Sequence, residues 1–180
     1  MYDPTGVWLD PAGRLWVADE MNNRVLRFDN AITKANGANA DGVLGQSNYT
    51  SNSSGTTQSS LSYPHIAFGD NAGNLFVVDY NNSRTLLFNN AALKTNGANA
   101  DIVLGQSDFV SNGVNTTAGG MNYPVGVTVD NYGNIYVGDR DNSRLLIFND
   151  AINKTNGASA DYVLGQPDFT SSTVNNGGIS

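Results

Sequence analysis

Val43-Leu44-Gly45-Gln46 returns as Val103-Leu104-Gly105-Gln106 and again as Val163-Leu164-Gly165-Gln166, each copy 60 residues after the last. The same interval separates the pairs Asp19/Arg24, Asp79/Arg84 and Asp139/Arg144, and the aspartates Asp10, Asp70 and Asp130. A fixed period of this size marks a repeat architecture, in which each unit buries its apolar faces by stacking on its neighbours. The sequence therefore divides into three units, 1–62, 63–122 and 123–180, read as blades of one continuous arc.

Each unit reads as four short strands. A proline (Pro4, Pro64, Pro124) opens the first, which runs into Asp-x-x-Gly: Asp10 with Gly13, Asp70 with Gly73, Asp130 with Gly133. Asp at the head of a turn and Gly at its end is hairpin chemistry. Leu15-Trp16-Val17, Leu75-Phe76-Val77 and Ile135-Tyr136-Val137 follow as second strands, rich in the β-branched and aromatic residues that suit a sheet covered on both faces. An Asn-rich loop leads to a third strand that starts at the Arg and ends on Phe28, Phe88 or Phe148. Segments such as Asn90-Ala91-Ala92-Leu93-Lys94-Thr95-Asn96-Gly97 predict one or two helical turns capped at both ends. The Val-Leu-Gly-Gln run is the fourth strand, and a tail rich in Ser, Thr, Asn and Gly returns to the next proline. The fold class expected is all-β: a β-propeller of four-stranded antiparallel blades, three per chain.

Tyr123-Pro124-Val125-Gly126-Val127, Gly133-Asn134-Ile135-Tyr136-Val137-Gly138-Asp139 and Asn142-Ser143-Arg144 with Phe148 resemble the NHL repeat. The second copy departs from that pattern, with His65 and Ile66 where Val125 and Gly126 stand, and the units are longer than the usual NHL blade. The resemblance implies a propeller, usually of six blades. It implies no single function, because relatives include protein-binding scaffolds, RNA binders and an amidating lyase. Three blades leave an open arc with a bare flank at each end. The expected completion is a head-to-tail homodimer closing a six-bladed ring, or a longer chain that supplies the missing blades.

Composition narrows the classes of function. Apolar residues make up 39% of the chain and charged ones 14%, which is globular and not disordered. The net charge is −7, and six of the nine Lys and Arg recur at repeat positions, leaving Arg14, Arg27 and Arg140. Nucleic-acid binding needs clustered positive charge, so that class is excluded. Without cysteine there are no disulfides or thiolate metal sites, no run is long enough to span a bilayer, and no cofactor is indicated. Low Lys with abundant Asn, Ser, Thr and Gly points to an extracytoplasmic or secreted setting.

Positions shared by all copies serve the blade itself: Asp19, Arg24, Asp79, Arg84, Asp139 and Arg144 read as architectural ion pairs, and the Asp10, Asp70 and Asp130 turns as capped turns, since one carboxylate per turn is thin for Ca²⁺. Trp8, Trp16, Phe68, Phe76 and Tyr136 read as packing between blades rather than a sugar platform. Function is sought where the copies disagree. The loop between second and third strands carries Glu20, Tyr80 and Arg140, then Met21, Asn81 and Asp141; the loop entering the first strand carries Thr5, His65 and Val125. These loops open on one face of a propeller and form the candidate site for a protein, peptide or glycan ligand. No catalytic or metal-binding residue is assigned, and His65 is the only histidine. The alternative is a lyase- or hydrolase-like propeller enzyme with its site in the central channel.

Overall fold

In a computed structural model, which describes residues 1–175, the chain folds as the repeats predict. The described residues form twelve strands in three four-stranded antiparallel sheets. The first holds β1 (Pro4–Leu9), β2 (Leu15–Asp19), β3 (Arg24–Phe28) and β4 (Gly42–Leu44). The second holds β5 (Pro64–Gly69), β6 (Leu75–Asp79), β7 (Arg84–Phe88) and β8 (Ile102–Leu104). The third holds β9 (Pro124–Val129), β10 (Ile135–Asp139), β11 (Arg144–Phe148) and β12 (Tyr162–Leu164). Residues 176–180, the end of the tail that the sequence gives to the third unit, lie outside the described residues.

The Asp-x-x-Gly turns are built as their chemistry dictates. Gly13 N–H donates to the Asp10 carbonyl at 2.9 Å, and Asp10 Oδ1 accepts the amides of Ala12 and Arg14, each at 2.9 Å. Gly13 has φ +79° and no atom within 4 Å of where a Cβ would sit, so the backbone alone demands glycine there.

Strands β1, β5 and β9 lie side by side along the axis of the arc. The central blade is covered on both faces. Leu75 and Val77 of β6 pack toward the first blade with Trp16, Val25 and Leu44. Phe76 and Val78, pointing the other way, pack toward the third with Val127, Ile135 and Val137. Period-two alternation thus feeds two apolar layers, and the strand reads as a continuous hydrophobic run.

The tails of the first two repeats lock into the blade that follows. Arg84 Nη2 donates to the carbonyls of Thr57 (2.9 Å) and Ser60 (3.1 Å), and Asn82 Nδ2 to that of Gly55 (2.9 Å). Arg144 and Asn142 repeat this with Thr117, Gly120 and Asn115. At the end of the tail, Leu61 and Met121 are wholly buried and fill hollows over Gly45 and Gly105. A Cβ on either glycine would lie 2.5 Å from Leu61 Cδ1 or 2.7 Å from Met121 Sδ.

The helical segment is shorter than the sequence predicts. Ala31–Thr33, Ala91–Leu93 and Ala151–Asn153 are single 3₁₀ turns. The preceding Asn30, Asn90 and Asp150 make no side-chain capping bond; they sit instead in the left-handed region at φ between 47° and 50°. The reason is steric: the chain must reverse directly after the third strand, and Asn and Asp tolerate that conformation better than most residues.

Candidate functional site

The divergent loops lie on one face because the main chain ties them together. Glu20 N–H donates to Asp3 O, Asn81 N–H to Ser62 O, and Asp141 N–H to Asn122 O, so each β2–β3 type loop is hydrogen-bonded to the segment that enters the first strand of its blade. The 3₁₀ turns Glu20–Asn22, Tyr80–Asn82 and Arg140–Asn142 present Glu20, Tyr80 and Arg140 at equivalent positions.

Beneath them sits the repeated ion pair. Asp79 and Arg84 contact at 2.7 Å and Asp139 and Arg144 at 2.8 Å, all four side chains fully buried, while Arg24, on Asp19 at 2.7 Å, is 11% exposed. Asp79 also accepts Ser62 N–H (2.7 Å) and Asn82 Nδ2 (2.8 Å). Each pair therefore fixes both ends of the loop above it.

Four of the sequence candidates come together where the second and third blades meet. The Arg140 guanidinium lies 4.9 Å from the centre of the Tyr80 ring and 5.9 Å from that of Tyr123, within cation–π range. Tyr80 and Tyr123 are 5.1 Å apart, and His65 is 6.2 Å from Tyr80. Asp141 grips Arg140 with both oxygens, at 2.6 and 3.2 Å. That bond holds the Arg140 guanidinium above its ordinary pKa, and Arg140 in turn holds the Asp141 carboxyl below its own. The side chains of Arg140 and Asp141 are 47% and 39% exposed, so this is a fixed charge pair set on aromatic rings and open to solvent.

The remaining candidates occupy the same face without joining that cluster. Thr5 Oγ1 donates to His65 O at 2.8 Å, stitching the first blade to the second. Asn81 is exposed and Val125 half-buried. Glu20 and Met21 stand on the first blade, where Glu20 Oε2 is buried without a hydrogen-bond partner. Among the described residues, no group of three or more His, Asp or Glu is placed to hold a metal ion.

Tyr123 is a member that sequence reasoning missed. It precedes Pro124, a position biased toward extended backbone, yet it adopts φ +49°, as Tyr63 (+55°) and Asp3 (+55°) do. The left-handed turn swings the Tyr123 ring to within 5.1 Å of Tyr80. The signal at this position was weaker than at the chosen ones: Asp3 differs from Tyr63 and Tyr123, but those two copies agree.

At the opposite end of the inner strands, Trp8 and Phe68 stack 5.6 Å apart over a cavity of about 770 Å³ that also involves Asp70, Asp130 and Tyr132. Trp16 and Phe76 are buried, and Trp16 Nε1 and Tyr136 Oη donate to the turn carboxylates of Asp10 and Asp130.

Comparison with known proteins agrees with this architecture. No curated protein matches the chain significantly. Among solved structures, a nidogen/laminin complex is similar over 93% of this chain and 49% of that one, at 20% identity and a TM-score of 0.57. Virginiamycin B lyase from Staphylococcus aureus is similar over 91% and 41% (15% identity, TM-score 0.53), and a streptogramin B lyase over 92% and 42% (14%, 0.54). The chain thus spans half or less of the length of these structures, and at such identities the likeness conveys the fold alone. Residues 1–28 and 121–148 match the NHL repeat, and the unmatched copy is the one where His65 and Ile66 break the motif. The chain thus matches the NHL repeat in its first and third units and folds as three blades of a β-propeller.

Proposed function

We propose that the chain is a non-catalytic binding module whose loop face, centred on Tyr80, Tyr123 and Arg140, recognises a protein, peptide or glycan ligand. A second copy, docked head to tail, completes its ring to six blades. The observation that carries the binding reading is the exposed Arg140–Asp141 pair laid over two tyrosine rings. Tyr and Arg dominate the energetics of recognition surfaces, because rings offer large rigid contact area and guanidinium offers directed donors. Here the rings and the guanidinium are already assembled, which lowers the entropy cost of capture. His65 extends the aromatic surface. Scaffold positions below, Asp79 and Arg84 above all, hold the loops rather than touch the ligand.

Peptide and glycan arrays, with hits titrated calorimetrically, test this reading. Arg140→Ala and Tyr80→Ala are each expected to weaken the best hit about tenfold or more, as central anchors do. Leu93→Asp, a change at a residue 84% exposed on another part of the central blade, is expected to leave affinity intact. Equal affinity across all three variants would overturn the assignment of this face.

A further inference from the structure

The boundary between blades is formed twice within the chain, and its two halves appear unpaired at the two ends of the arc. On the receiving side, Gly45 and Gly105 make the hollow for Leu61 and Met121, and Gln46 and Gln106 fasten the neighbouring loop. The third blade carries the same hollow ready-made. Gly165 has φ +86°, matching Gly45 (+86°) and Gly105 (+88°). Gln166 Nε2 donates to Ser143 O at 2.9 Å and Thr173 O at 3.0 Å, as its counterparts do. Yet among the described residues nothing lies closer than 3.3 Å to where a Cβ on Gly165 would sit. Leu164 is 55% exposed, whereas Leu44 and Leu104 are 3% and 1% exposed.

The inserting side is equally ready on the first blade. Met1 holds the repeat position of Leu61 and Met121, and the segment after it is anchored in the same way. Tyr2 N–H donates to Asp19 Oδ1 at 2.6 Å, as Ser62 does to Asp79 (2.7 Å) and Asn122 to Asp139 (2.6 Å). Met1 itself is 68% exposed, where Leu61 and Met121 are wholly buried. A second contact follows the same logic. Asn96 Oδ1 accepts Val43 N–H (3.1 Å) and Gly97 N–H donates to Val43 O (3.1 Å); Asn156 and Gly157 do the same for Val103. Asn36 and Gly37 are the first-blade equivalents, with Gly37 already at φ +75°.

We propose that the β12 edge and the Gly165 hollow form a docking site for the first blade of a second copy of this chain, with the partner's Met1 seated over Gly165 and the partner's Asn36 and Gly37 hydrogen-bonded to the main chain of Val163. This rests on the head-to-tail reading above and gives it a register. A second copy fits because the chain's own first blade carries each inserting element at the repeat position that the two internal boundaries use. The interface is heterologous, and two copies use it twice to close a ring.

The test is the solution mass of the 180-residue chain by light scattering over a concentration series, with Leu164→Asp, Asn36→Ala and Leu93→Asp beside the wild type. The wild type is expected at twice the 19.0 kDa chain mass. Leu164→Asp, at a position open to solvent in the single chain, is expected to raise the dimer dissociation constant by roughly a hundredfold with unchanged circular dichroism. Asn36→Ala should raise it by roughly tenfold, and Leu93→Asp should leave it unchanged. A wild type monomeric at every concentration, or an open-ended ladder of masses, would overturn both the register and the completed ring. A dimer indifferent to Leu164→Asp and Asn36→Ala would overturn the register alone, since the pair would then be made by other surfaces. The loop-face reading is tested separately by the Arg140→Ala titration.

Discussion

Replacing Asp79 with alanine strands Arg84, and the cost follows from where that guanidinium sits. Both side chains are fully buried, and Arg84 is fixed by Asp79 Oδ2 at 2.7 Å and by carbonyls of Phe109, Thr57 and Ser60 at 2.6, 2.9 and 3.1 Å. The carbonyls carry no net charge, so without Asp79 the cation remains in a dry site with no counter-ion. Removing one partner of such a pair costs about 3–5 kcal/mol. Ser62 N–H loses its acceptor as well, which acts in the same direction. Against a total stability of about 5–15 kcal/mol, Asp79→Ala should shift the urea midpoint heavily. The cycle of Asp79→Ala, Arg84→Ala and the double variant should give a coupling of about 2–3 kcal/mol, because the second deletion removes the charge that the first one strands. The half-buried pair Lys94–Asp101, at 2.9 Å and open to solvent screening, should couple by about 1 kcal/mol or less in the same assay. Urea unfolding followed by circular dichroism, at low and high salt, reads all of this. A cost for Asp79→Ala below about 1 kcal/mol, or strict additivity in the cycle, would refute the view that a buried charge pair organises the blade.

Other substitutions separate backbone strain from packing. Gly13→Ala, in open space at φ +79°, should cost about 1 kcal/mol, whereas Gly105→Ala at φ +88° also drives into Met121 and should cost about 3 kcal/mol by thermal melts. Equal costs would mean that Met121 yields without penalty. Burial raises the Asp10 carboxyl, but bonds from Arg14, through side chain and amide, and from Trp16 outweigh it, leaving the pKa lowered. Its stabilising effect is thus present above the ordinary carboxylate range and lost as pH falls through the lower folded-state value. The stability gap between wild type and Asp10→Asn should accordingly shrink on acidification; a gap independent of pH would show that the charge on Asp10 contributes nothing.

The blade was legible because its determinants are local. Proline, Asp-x-x-Gly and the strand-ending Phe mark boundaries within a few residues of the backbone they direct, and three copies state them three times. The hollow at Gly45 and the plug of Leu61 were not legible, since neither residue is unusual until the tail has crossed to the next blade. The 3₁₀ turns were overestimated for a related reason: Asn90 before an Ala pair looks like a helix cap, but the reversal after β7 places Asn90 in the left-handed region instead. At the candidate site, divergence between copies singled out Tyr80, Arg140 and His65 along with six other positions. It did not reveal that those three converge on Tyr123 while Glu20 and Met21 stand apart, because that depends on how neighbouring units stack.

A tail that belongs to one repeat by sequence and grips the next by contact also bears on how such a chain changes length. An in-frame duplication of one full period, wherever its ends fall, copies every plug together with a hollow to receive it, so blades can be added without designing a new junction. Exchange of a single unit between dissimilar propellers is different, because Arg84 of the incoming unit would meet foreign carbonyls in place of those of Thr57 and Ser60. Growth by copying one's own units is therefore the low-cost route for this architecture, and near-identical neighbours are its natural record.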